Sequence, residues 1–184
     1  MTELAFGIFD HLDRGPVPVG EFYRQRLRIA EEYDRAGFYS YHLAEHHATP
    51  LGMAPSPGIF LSALAQHTER LRFGPLVYLL PLYHPIRLVE EIGMLDQLSN
   101  GRMDVGVGRG ISPLESMLYG GDPEQAQAIF EEALGIVREG LTTGKVAHAG
   151  TFFTYRDHEF EVRPVQQPHP PFWYGISSPA SADG

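Results

Sequence analysis

Five short apolar runs alternate with longer amphipathic stretches, and this alternation constrains the fold more than any other feature of the chain. Residues 4–9, 40–44, 71–80, 103–107 and 171–176 read as strands, and the nearly continuous apolar character of the first suits a strand covered on both faces. Residues 19–37, 59–67, 84–98 and 124–141 read as helices. In the first of these, Phe22, Leu27, Ile29, Ala30, Tyr33 and Ala36 recur at near-helical spacing, and Gly37 stands where a C-cap glycine belongs. In the last, Ile129, Ala133, Ile136, Val137 and Leu141 share one face. Between that helix and the final strand, β-prone runs at 151–155 and 159–162 predict a hairpin inserted at 145–163.

Strict β/α alternation demands a parallel sheet with helical crossovers, either doubly wound or a barrel. The turn Gly106-Val107-Gly108-Arg109-Gly110-Ile111 bears on that choice, because Ile111 stands where a dinucleotide fingerprint requires its last glycine. A Rossmann site is therefore disfavoured. Gly144-Lys145-Val146 likewise lacks the upstream glycine and hydroxyl residue of a P-loop.

With 184 residues, 43% hydrophobic and 20% charged, the sequence suits one globular domain over 1–184. The net charge of -9 and the absence of a Lys/Arg run argue against a nucleic-acid partner or an anionic membrane surface. Without cysteine there is no disulfide, thiolate metal site or cysteine nucleophile, which fits a cytoplasmic location. No basic segment precedes the first apolar run, and the longest such run, 76–83, is about half the length of a spanning helix. A small, soluble partner is the expectation.

His46 follows the second predicted strand, and its near-neutral titration suits it to hold or move a proton. On spacing alone, a structural histidine bonded to a loop carbonyl is the commoner reading. His42 and Glu45-His46-His47 do not make a metal site, since neighbours on an extended segment point to opposite sides. Arg109 lies in a glycine-rich turn where backbone can approach a ligand closely; a solvated or salt-bridged loop arginine is the alternative. Ser177, Ser178 and Ser181 offer hydroxyls and free backbone N–H groups at an expected helix start.

Five segments then line up: Leu43-Ala44-Glu45-His46-His47, Leu80-Pro81-Leu82-Tyr83-His84-Pro85-Ile86-Arg87, Leu95-Asp96-Gln97-Leu98-Ser99-Asn100-Gly101-Arg102, Gly106-Val107-Gly108-Arg109-Gly110, and Arg163-Pro164-Val165-Gln166-Gln167-Pro168-His169-Pro170-Pro171. In this order and spacing the chain resembles the bacterial luciferase-like flavin-dependent monooxygenases along its whole length. The resemblance implies a TIM (β/α)8 barrel with its active site at the C-terminal ends of the strands. A complete barrel needs about 250 residues, so five β/α units imply an incomplete one, from a truncated frame or a fragment of a longer protein.

By the same resemblance His46 is the catalytic imidazole, and Arg109 contacts the FMN phosphate, which the turn carrying Ser177, Ser178 and Ser181 also cradles. Leu76 and Val77 match the segment that lies against the flavin ring, often through a non-proline cis peptide, and Ile111 and Gly175 complete the cofactor-binding set. The implied reaction uses reduced FMN and O2 to oxygenate a small organic substrate, with a separate flavin reductase and a homodimer as expected partners. Gly108 and Ser177 stand where the luciferase α-chain has a cysteine and an acidic residue, a departure that points away from light emission. Deazaflavin-dependent hydride transfer and a non-catalytic flavin-binding remnant are the alternatives.

Overall fold

The computed structural model of the chain describes residues 4–176. Its strands are β1 (Gly7–Asp10), β2 (Ser40–Leu43), β3 (Arg72–Pro75), β4 (Tyr78–Leu79), β5 (Val105–Gly108), β6 (Lys145–Ala149), β7 (Thr154–Glu159) and β8 (Phe172–Tyr174). The helices are α1 (Val19–Ala36), α2 (Pro57–His67), α3 (Pro85–Leu98), α4 (Pro113–Leu118) and α5 (Ala126–Thr143), with a 3-10 turn at Leu80–Leu82. None of the described helices is long and apolar enough to cross a membrane.

β1, β2 and β3 pair in parallel in that order, and β4, β5 and β8 do the same. A parallel bridge between Phe73 and Met103 joins the two groups. Sheet order thus follows chain order, whereas a doubly wound sheet reverses at a switch point. The sheet also curves back on itself. His42 on β2 and Trp173 on β8, separated in the sheet by β3, β4 and β5, bring their rings within 4.8 Å. This is an arc of a (β/α)8 barrel, with β1 and β8 at its two ends.

Register separates the two faces. Ile8, Tyr41 and Phe73 stand in one row, and Tyr41 meets Tyr33 of α1 and Phe60 of α2, so this row faces the helices. Phe9, His42 and Gly74 form the next row and face the concave side. Outside, α1 packs on α2, α2 on α3, and α3 on α5. Leu61, Leu64, Leu88, Ile92, Val105 and Val137 are fully buried in this layer.

Local chemistry sets the helix ends. Gly37 closes α1 at φ 80°, a left-handed conformation with little penalty for glycine. Pro85 opens α3 at a position where its missing N–H costs nothing. Asp34, in the last turn of α1, accepts the backbone N–H groups of Glu69 (2.8 Å), Arg70 (3.0 Å) and Leu71 (2.6 Å), anchoring the approach to β3. Burial pushes its carboxyl up, but these amides and the Arg70 charge outweigh it, and the net shift is below the ordinary value.

Three details depart from the sequence expectations. The third predicted strand divides: β3 stays with β2 and β4 pairs with β5, with a cis peptide between Leu76 and Val77. The hairpin strands are β6 and β7 rather than 151–155 and 159–162, because the Glu132 carboxylate of α5 gathers the N–H groups of Thr151, Phe152 and Phe153 into the turn. Finally, β1 is not covered on both faces, since Phe9 on its concave side is 52% exposed.

Glycines let β3, the segment after it and β5 lie close together. A Cβ on Gly74 would overlap the Asp104 carbonyl oxygen, and one on Gly106 would overlap that of Pro75. At Gly108 it would meet a Val77 methyl at 2.5 Å. Gly106→Ala should therefore cost at least about 1–3 kcal/mol, the range for overpacking, and more than Gly108→Ala, where a methyl can give way. Urea midpoints decide this, and equal costs would contradict it. Asp34→Ala should cost about 1–3 kcal/mol at neutral pH by stranding a buried donor. Because the folded-state pKa is depressed, the Asp34 contribution is present above the unfolded aspartate value and lost as pH falls through the folded one. The gap between wild type and Asp34→Asn should accordingly narrow in acid; a constant gap would remove the role of the charge.

Candidate active site

Beyond β2 the chain runs on through Ala44, Glu45, His46 and His47, sending successive side chains to opposite sides. His46 lines an open cavity of about 1360 Å³ at the C-terminal ends of the strands. Glu45 borders the same cavity but is buried, and His47 is buried outside its lining. The His46 ring lies nearly parallel to that of His11, with centroids 5.6 Å apart and planes 13° from each other. Gly52 packs behind it, since a Cβ there would come within 2.8 Å of the His46 Cβ.

Leu76 and Val77 line the same cavity, as do Gly108 from β5 and Gly175 past β8. A Cβ on Gly175 would be 3.6 Å from Val77, so the two are neighbours on the cavity wall. Arg109 lies on the cavity lining with an exposed side chain, and Ile111, 80% exposed, is close by. Glycines, aliphatic and aromatic side chains make much of its surface, and His46 and Arg109 stand among its polar groups, which also include His11, His169, Arg138 and three glutamates. That donor set fits a planar ring system with an anionic tail.

Two buried carboxylates hold the His46 segment. Glu45, 3% exposed, contacts His47 Nε2 through Oε1 at 2.8 Å; its Oε2 accepts from the Tyr83 hydroxyl at 2.8 Å and from the Leu79 N–H at 3.4 Å. Burial raises its carboxyl above the usual range, against the His47 and Tyr83 hydrogen bonds, which favour the ionised form. Burial, reinforced by Glu45, also pushes the Tyr83 phenol far up, so that it remains a donor. On its other side, His47 Nδ1 meets the Tyr119 hydroxyl at 2.8 Å. The second carboxylate is Glu115, whose Oε1 accepts from the His47 N–H at 2.9 Å and lies 3.4 Å from His46 Nδ1. Deeper in the barrel, His42 Nε2 and Asp104 Oδ2 approach to 3.5 Å, while Arg72 Nε donates to Asp104 Oδ1 at 3.0 Å.

Of the residues singled out from sequence, His46, Leu76, Val77, Arg109, Ile111 and Gly175 converge on one concavity. Ser177, Ser178 and Ser181 lie outside the described residues. His42, His46 and His47 point to three different surroundings, and the described residues hold no cluster of three or more metal-ligating side chains. Sequence reasoning missed Glu115 and His11. For Glu115 a signal existed, because Ser112-Pro113-Leu114-Glu115 has the capping-box spacing with proline at the first helical position. The Ser112 hydroxyl does accept from the Glu115 N–H, at 3.4 Å. His11 carries no comparable pattern.

Comparison with known proteins puts a family beside this geometry. The model of the luciferase-like monooxygenase family matches residues 4–183. Protein y4wF of Sinorhizobium fredii is 48% identical over 181 residues, covering 98% of this chain and 53% of its own. The oxygenase component of the flavin-dependent trigonelline monooxygenase of Acinetobacter baylyi is 31% identical over 182 residues, covering 97% of this chain and 50% of its own. Among solved structures, monooxygenase RslO1 from Streptomyces bottropensis superimposes with a TM-score of 0.93 at 33% identity, covering 98% of this chain and 56% of that one. The chain spans about half the length of the curated relatives it matches. It belongs to the luciferase-like monooxygenase family.

Proposed function

We propose that the cavity serves flavin-dependent monooxygenation of a small organic substrate by reduced FMN and O2. One oxygen atom enters the substrate, the other leaves as water, and the two electrons come from the flavin. What carries this reading is the convergence of His46, Arg109 and the Leu76–Val77 segment on one concave surface. Bound reduced FMN supplies the redox chemistry, and the protein supplies orientation, electrostatics and exclusion of water.

Arg109 binds the phosphate through a permanently charged, forked donor, with Ser177, Ser178 and Ser181 as further phosphate ligands. Leu76, Val77, Ile111 and Gly175 provide the apolar surface against the ring system. His46 holds or moves a proton through the nitrogen facing the cavity. A separate reductase supplies the reduced flavin, a reading supported by the name of the Acinetobacter relative, an oxygenase component. A homodimer is the proposed assembly.

The test supplies reduced FMN from a reductase under 18O2 and follows label into product across a panel of small organic substrates. His46→Ala should slow oxygenation by about 10²-fold, the lower range for a lost acid–base group, with FMN affinity little changed. Arg109→Ala should weaken FMN binding by about 1.5–3 kcal/mol, the range for a charged hydrogen bond, and leave turnover largely intact once flavin saturates. Unchanged product yield in the His46 variant would remove its catalytic role. Oxygen-independent turnover with reduced deazaflavin alone would replace monooxygenation by hydride transfer.

A further inference from the structure

We infer that Glu115 is the positioning residue of His46: its carboxylate accepts from Nδ1–H, holds the imidazole in the Nδ1–H tautomer and leaves the Nε2 lone pair facing the cavity. The assignment rests on the proposed role of His46 and adds a partner to it.

Glu115 is only 7% exposed, and a buried carboxylate is costly unless donors compensate it. Both donors found for it come from one short segment 68 and 69 residues earlier in the chain: the His47 N–H and the His46 ring. The first, at 2.9 Å, ties α4 to the strand extension and fixes where the carboxylate sits. The second, at 3.4 Å, is long for a hydrogen bond, as such contacts commonly are before a ligand closes the site. A carboxylate at Nδ1 selects the tautomer with its hydrogen there and favours the imidazolium that forms when Nε2 takes a proton.

The surroundings leave this ring few alternatives. From the end of β1 it faces the stacked His11 ring, and on its own segment Glu45 and His47 are engaged with each other. Arg109 past β5 and Glu131 and Arg138 of α5 also border the cavity, and Tyr119 at the end of α4 is taken by His47. Among the described residues, Glu115 is the carboxylate that contacts the His46 ring.

The test reads the ring nitrogens directly, without flavin. In the uniformly 15N-labelled chain, at a pH where the ring is neutral, two-bond 1H–15N correlations distinguish the two tautomers, and loss of the signals in His46→Gln assigns them. His46 should be predominantly Nδ1–H. Glu115→Gln retains an acceptor and should keep that tautomer, whereas Glu115→Ala should lose it. A wild-type ring that is predominantly Nε2–H overturns the inference whether or not the alanine variant folds, and so does an alanine variant that stays Nδ1–H. Either result leaves the monooxygenase reading standing, because that reading depends on 18O transfer and not on the tautomer.

Discussion

The close approach of backbone around β5 sets up everything else in this molecule. Gly74 and Gly106 present only hydrogen to the carbonyls of Asp104 and Pro75, and no larger residue fits without displacing the strand beside it. With those strands seated, Ile8, Tyr41 and Phe73 line up toward the helices. Burying side chains of that size contributes roughly 1.5–3 kcal/mol each. The opposite, concave face carries Phe9, His42 and Trp173 and opens into the cavity at the C-terminal ends of the strands. Packing on one face and vacancy on the other are two consequences of a single backbone arrangement.

Function is positioned by the segment that runs past β2. His46 lines the cavity while Glu45 and His47 are buried and bonded to each other, so the part-exposed imidazole is carried by a buried, hydrogen-bonded frame. Ionic groups in such a frame are a poor source of net stability, since desolvation offsets much of their attraction. Their effect here is geometric. Tyr83 and Leu79 from one stretch of the chain, and Tyr119 and Glu115 from another, reach the segment and restrict where His46 can be.

Much of this was legible in the sequence, and the parts that were not share a cause. The β/α alternation revealed the parallel sheet, and the motifs around His46, Arg109 and Leu76–Val77 marked residues that do meet on one surface. Local signals also marked the helix ends, with Gly37 and Pro85 where their backbone chemistry places them. The departures arise where a distant group overrides local propensity. Phe152 and Phe153 look like strand, yet the Glu132 carboxylate takes their N–H groups and makes them a turn. Residues 71–80 look like one strand, yet β3 and β4 belong to different partners. Glu115 meets His46 only once α4 has folded, across 69 residues of chain.

The most direct test of a flavin site on this surface is to map where reduced FMN binds. Backbone amide shifts, recorded anaerobically while reduced FMN is titrated into the labelled chain, report the contact region residue by residue. The largest changes should fall at 44–47, 76–79, 107–111 and 175–176, four of the segments that border the cavity. Saturable binding whose shifts concentrate instead on the outer faces of α1, α2 and α3, or shifts absent at every accessible FMN concentration, would contradict the account.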